Sequence, residues 1–200
     1  PAGKFSGAGS AECVACPAGQ YNAKTGAGTC PFCATGTVST AGQTSCTTCT
    51  AGKYRSDVST CTTCGAGTYA VASSNKCTEC DLGSISAAVA ESCTQCTSGT
   101  YETKRTSCPS CAAGKYSAKD GAITCDTTPA GYFSAEKSNG YTACPVGKYA
   151  YAGSASCTWC PAGRYNTETA QGSCLACAGG TYQPYSAGEN SGTTCYGCVT

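Results

Sequence analysis

Apolar positions along this chain stand singly and on a beat, with small and polar residues filling the intervals. Glycine recurs at 3, 19, 36, 52, 67, 83, 99, 114, 131, 147, 163 and 180, and two residues beyond each stands one ring or branched side chain. That residue is Phe5, Tyr21, Val38, Tyr54, Tyr69, Ile85, Tyr101, Tyr116, Phe133, Tyr149, Tyr165 or Tyr182. Residues two apart on a strand share a face, so each glycine and its ring predict one short strand. Clusters such as Ala72-Ser73-Ser74-Asn75 and Ala118-Lys119-Asp120-Gly121 come next, and they carry turn chemistry. A second short strand, often β-branched or rich in Ser and Thr, leads back to a cysteine. The predicted element is a hairpin with little or no helix around it. About twelve such units of 15–17 residues form one continuous array over residues 1–200.

The cysteines set the period. They fall in C-x-x-C doublets at 13/16, 30/33, 46/49, 61/64, 77/80, 93/96, 108/111, 157/160, 174/177 and 195/198. Two further doublets are incomplete, because Thr128 and Tyr141 stand where cysteines are due beside Cys125 and Cys144. Bonding within each doublet would orphan both remaining cysteines. Bonding each second cysteine to the next first cysteine deletes one bond with both of its ends, 128–141. The pairs are then Cys16–Cys30, Cys33–Cys46, Cys49–Cys61, Cys64–Cys77, Cys80–Cys93, Cys96–Cys108, Cys111–Cys125, Cys144–Cys157, Cys160–Cys174 and Cys177–Cys195. Cys13 and Cys198 are left to partners outside the fragment. A nested scheme that joins Cys125 to Cys144 also leaves no orphan, so both stand. Either way residues 125–144 form an irregular unit, and 177–195 a long loop.

Each loop holds a miniature core assigned to the repeating glycine and ring: Gly19 and Tyr21, Gly52 and Tyr54, Gly67 and Tyr69, Gly99 and Tyr101, Gly114 and Tyr116, Gly147 and Tyr149, Gly163 and Tyr165. Closing such a loop is worth roughly 3 kcal/mol, less than the entropy of ordering its dozen or so residues. Units must therefore stack and share their surfaces. The expected fold is a small, disulfide-rich, mostly β or irregular one, an elongated solenoid-like rod of stacked disulfide-closed hairpins. At the ~4.8 Å spacing of strands the rod would exceed ~100 Å.

Composition agrees with a stapled scaffold. Leu, Ile, Val and Phe together number 14 against 22 cysteines in 200 residues, and Met is absent. Such cysteine density belongs to oxidising compartments, so an extracellular, secreted or surface-held chain is expected. No export signal opens it, and it starts and stops inside repeats, which reads as a piece of a longer protein. A net charge of +1 gives no reason to expect nucleic acid, and no apolar run is long enough to insert in a membrane.

Chemistry is sparse. Zinc doublets usually stand 15–20 residues apart and work in pairs; here the series runs on without pairing, and there is no histidine. No nucleophile–histidine arrangement exists and the carboxylates are scattered, so no enzyme, metal or cofactor is expected. Aromatics outside the beat are the contact candidates: Trp159, Tyr151, Tyr185 and Tyr196, with Tyr132 and Tyr141 beside the missing bond. Ser and Thr make up 52 residues, which makes covalent O-glycans an expectation, whereas no asparagine begins N-x-S/T.

The phrases Cys13-Val14-Ala15-Cys16-Pro17-Ala18-Gly19-Gln20-Tyr21 and Cys157-Thr158-Trp159-Cys160-Pro161-Ala162-Gly163-Arg164-Tyr165 resemble the ephrin-receptor-like cysteine-rich repeat. The resemblance runs along the chain and implies extended extracellular stalks. Long arrays with this Ala/Thr/Ser filling also resemble protist and algal surface proteins, including the fibres called mastigonemes. The function expected is structural: a disulfide-stapled segment of a surface fibre, hair or coat, self-associating or joined to other coat proteins. The alternatives are the stalk or ligand-binding region of a receptor or adhesion protein, and a protist surface antigen.

Overall fold

A computed structural model of the 200-residue chain describes residues 1–184 and 192–198. Its elements are twenty short strands in ten antiparallel pairs, with no helix among the described residues. β1 (Lys4–Phe5) pairs with β2 (Val14–Ala15), β3 (Thr37–Val38) with β4 (Thr47–Thr48), and β5 (Lys53–Arg55) with β6 (Cys61–Thr63). β7 (Thr68–Tyr69) pairs with β8 (Thr78–Glu79), β9 (Ser84–Ile85) with β10 (Thr94–Gln95), and β11 (Lys115–Tyr116) with β12 (Asp126–Thr127). β13 (Tyr132–Phe133) pairs with β14 (Thr142–Ala143), and β15 (Lys148–Tyr149) with β16 (Thr158–Trp159). β17 (Arg164–Tyr165) pairs with β18 (Leu175–Ala176), and β19 (Thr181–Tyr182) with β20 (Tyr196–Gly197).

The first strand of each pair is the glycine–ring segment. The second strand is not the stretch before the closing cysteine: it is the interior of the C-x-x-C doublet itself. This is the physical meaning of the spacing. Two residues make the strand, the first cysteine closes the loop behind it, and the second opens the next loop. The backbone N–H of that second cysteine then donates to the carbonyl of the unit's glycine, as in Cys16 to Gly3 (2.9 Å), Cys64 to Gly52 (2.9 Å) and Cys144 to Gly131 (2.9 Å). Where the doublet begins with proline the ladder shrinks to one bridge, Gln20 with Phe32 and Thr100 with Ser110. Pro31 and Pro109 accept from Tyr21 and Tyr101, both at 3.1 Å, but they have no N–H to return.

By its contacts the chain forms two compact units, Pro1–Thr94 with Lys104–Ser107, and Gln95–Thr103 with Cys108–Thr200. In the first unit, the N–H groups of four repeat glycines donate to the hairpin that follows: Gly3 to Asn22 (2.8 Å), Gly19 to Ser39 (2.9 Å), Gly52 to Ala70 (2.7 Å) and Gly67 to Ser86 (3.0 Å). The reach also extends two hairpins along. The carbonyls of Cys16, Cys49 and Cys64 accept from the turn residues Gly42 (2.8 Å), Ser73 (2.9 Å) and Val89 (2.9 Å). In the second unit the same two contacts recur, with Gly114 donating to Ser134 (2.9 Å) and Lys137 to Cys111 (2.8 Å).

This packing explains the repeating glycine. At Gly36, Gly52, Gly114 and Gly131 the backbone is left-handed, with φ between +72° and +89°. A Cβ there would collide with the backbone carbonyl of a turn two hairpins away: Ser73, Val89, Gly153 and Ala170 respectively. Only a residue without a side chain admits that approach. Second cysteines form the core of each unit: Cys16, Cys49 and Cys64 are buried in the first, and Cys96, Cys111 and Cys144 in the second. Hence the fold is what a chain poor in aliphatics can build: short paired strands around sulfur.

Candidate functional site

Ten disulfides run in tandem through the described residues, joining Cys16–Cys30, Cys33–Cys46, Cys49–Cys61, Cys64–Cys77, Cys80–Cys93, Cys96–Cys108, Cys111–Cys125, Cys144–Cys157, Cys160–Cys174 and Cys177–Cys195. Cys125 and Cys144 are thus bonded apart, not to each other, and the nested scheme is absent. Cys13 and Cys198 carry free, exposed thiols.

The irregular unit keeps its hairpin without its staple. Tyr132 pairs with Ala143 and Phe133 with Thr142 across β13 and β14. Thr128 takes the buried cysteine position, fully enclosed, and its hydroxyl lies 2.6 Å from that of Ser134. Ser134 in turn donates to the Lys115 carbonyl at 3.2 Å, so the buried pair is satisfied without sulfur. Tyr141, where the partner cysteine would stand, turns outward. Its ring packs edge-on against Tyr116 (5.0 Å between centroids) and Tyr132 (4.9 Å). Such T-shaped pairs are favourable beyond their buried area. Partial burial, then Tyr141 and Asp126 nearby, push the Tyr116 phenol above its ordinary pKa.

The repeat rings are half-buried flanks and not the centre of the core. Tyr21, Tyr54, Tyr69, Tyr101, Tyr116, Tyr149 and Tyr165 are all in that intermediate state, while the residue after the ring is buried in every case but Arg55 after Tyr54. That next position holds Asn22, Ser39, Ser86, Ser117, Ser134 and Asn166. Except at Ser117, whose hydroxyl donates to Lys119 in its own turn (3.1 Å), the side chain reaches back to the preceding hairpin and donates to a first-strand carbonyl: Asn22 to Lys4 (2.6 Å), Ser39 to Gln20 (2.9 Å), Ser86 to Thr68 (2.9 Å) and Asn166 to Lys148 (3.0 Å). Sequence reasoning passed over these residues. The signal was present, since a small or amide side chain recurs three after the glycine, but Ser and Asn read as surface.

The off-beat aromatics are scattered on the surface of the second compact unit. Tyr151 is exposed and meets Tyr149 edge-on at 5.3 Å. Burial first, and then the hydrogen bond to Tyr151, raises the Tyr149 pKa. These two rings with Pro161, Arg164, Ser173 and Cys174 line a shallow groove of about 270 Å³. Trp159 lies half-buried under the Lys148 ammonium, 4.3 Å from the ring centroid, a cation–π contact. Tyr196 is exposed beside Tyr182 at 6.2 Å. Tyr185 and the middle of the 177–195 loop lie outside the described residues.

Among the described residues no group of three or more His, Cys, Asp or Glu could hold a metal ion, and no helix is long and apolar enough to cross a membrane. No curated protein matches the chain. The sequence model of the family described as tyrosine-protein kinase ephrin type A/B receptor-like matches residues 3–40 and 147–195. Regularly spaced disulfide pairs continue between those segments. The chain is thus a tandem array of cysteine-rich units in which residues 3–40 and 147–195 are similar to ephrin-receptor-like repeats.

Proposed function

We propose that the chain is a non-catalytic structural array of an extracellular surface fibre, hair or coat. The observation that supports this best is serial interlocking: from Cys16 to Cys195 each hairpin is closed by a cystine or, once, held by a buried hydroxyl pair, and backbone bonds reach one and two hairpins along. Reducing conditions would dismantle such a chain, so an oxidising exterior suits it. Its partners would be further copies of itself or other coat proteins. The exposed threonines of the doublets, Thr47, Thr48, Thr62 and Thr63, are the places where O-glycans would stand clear of the backbone contacts.

The runner-up reading is the stalk or binding region of a receptor or adhesion protein, favoured by the groove between Tyr149, Tyr151 and Arg164. Negative-stain electron microscopy of the native material without reductant separates the two. Fibres with a regular axial repeat support the structural reading. Isolated or membrane-tethered particles overturn it in favour of the stalk. Mass spectrometry of the same material reads hexose increments on the doublet threonines if the chain is glycan-clad.

A further inference from the structure

Tension applied to this chain takes the shortest covalent route. From Cys16 to Cys30, from Cys33 to Cys46, and so on to Cys195, that route crosses the cystine and leaves the loop residues unloaded. Only the doublet interiors carry the load between bridges, and at two residues each they have almost nothing to give. The route breaks once. Between Cys125, bonded to Cys111, and Cys144, bonded to Cys157, there is no cystine, so the whole backbone from 125 to 144 lies in series with the load.

What holds that segment is non-covalent. It comprises the β13–β14 ladder, the Thr128–Ser134 hydroxyl pair at 2.6 Å, the Tyr141 edge contacts, and backbone bonds such as Lys137 to Cys111 at 2.8 Å. From these we infer that the 125–144 hairpin is a tension-release element, the one hairpin between Cys16 and Cys195 that opens under load while the cystine-closed ones stay shut. This inference rests on the structural reading, since a coat or fibre is where load arises. The exchange of cystine for threonine and tyrosine then has a mechanical effect: it gives an otherwise inextensible array one reversible step of length.

The test is single-molecule pulling of the oxidised chain, with handles coupled to the exposed thiols of Cys13 and Cys198. The nineteen peptide steps from 125 to 144 span at most ~65 Å when extended. One discrete, reversible lengthening below that ceiling is expected. In Thr128→Cys/Tyr141→Cys, with the new cystine verified by mass, about thirteen residues leave the loaded path. A cystine spans only ~6 Å between Cα atoms, so the release shrinks by about 40 Å. Should that variant fail to close its bond, Thr128→Ala carries the test: the same release at a lower force. Absence of any release before cystines break, several equal releases, or a double-cysteine chain that lengthens like the parent would each overturn the inference. Pulling concerns this chain alone, so its failure is distinct from the absence of native fibres in the microscope.

Discussion

At the scale of single residues, two kinds of glycine share one left-handed backbone and differ in what surrounds them. Gly114 faces the carbonyl of Gly153, whereas Gly26, in a turn with φ +71°, has open space where a Cβ would go. Gly26→Ala therefore meets only the left-handed penalty, about 1–2 kcal/mol. Gly114→Ala adds a backbone collision that no rotamer change relieves, and is expected to cost at least about 2 kcal/mol more. Denaturant titrations of the oxidised variants check the difference; equal costs would mean that the second-neighbour turn yields to the added methyl. The glycines were legible in the sequence as a recurrence, because a backbone demand repeated twelve times leaves the same letter each time. Their reason was not, since the colliding carbonyl lies about forty residues downstream. The buried Ser134 and Asn166 escaped notice for a related cause: their polarity is satisfied by carbonyls of another hairpin.

At the scale of the hairpin, strands of two residues are too short to show a period of their own. The doublet interior therefore did not read as a strand, though it is one in ten hairpins, from β2 to β20, and a single bridge where it begins with proline. The gap at 128 and 141 was legible because a covalent bond loses both ends at once. That Tyr141 would find Tyr116 and Tyr132 was not legible, as it depends on how one hairpin lies on the next. The tyrosine contacts can be read in alkali. Tyr116 and Tyr149 have raised pKa values, so the fold favours their neutral phenols. Their contribution to stability is complete below the unfolded value near 10, and it is lost as pH climbs through the raised folded values. Absorbance titration near 295 nm is expected to show these two ionising above the ordinary phenol value. Tyr141→Phe removes one of the repelling phenolates and should move Tyr116 back down while leaving Tyr149 where it was. Movement of both, or of neither, would contradict the local origin of the shifts.

At the scale of the whole chain, what matters is that closure is serial. Except across 125–144, each cystine ends three residues before the next begins, so no loop contains another. That topology has a meaning for wear. A peptide bond cut inside a closed loop divides nothing, because the cystine still holds both sides. Of the lysines and arginines between Cys16 and Cys195, all sit inside closed loops except Lys137, which lies in the open 125–144 stretch. Trypsin acting in urea without thiol should therefore yield two large pieces, parted after Lys137, although nearly every other basic site has been cut; thiol should then scatter them into many peptides. A single unbroken species before reduction, or more than two large ones, would show a different closure. An array built this way survives nicks at almost any exposed turn with its continuity intact. Its lifetime under proteolysis is set by one hairpin.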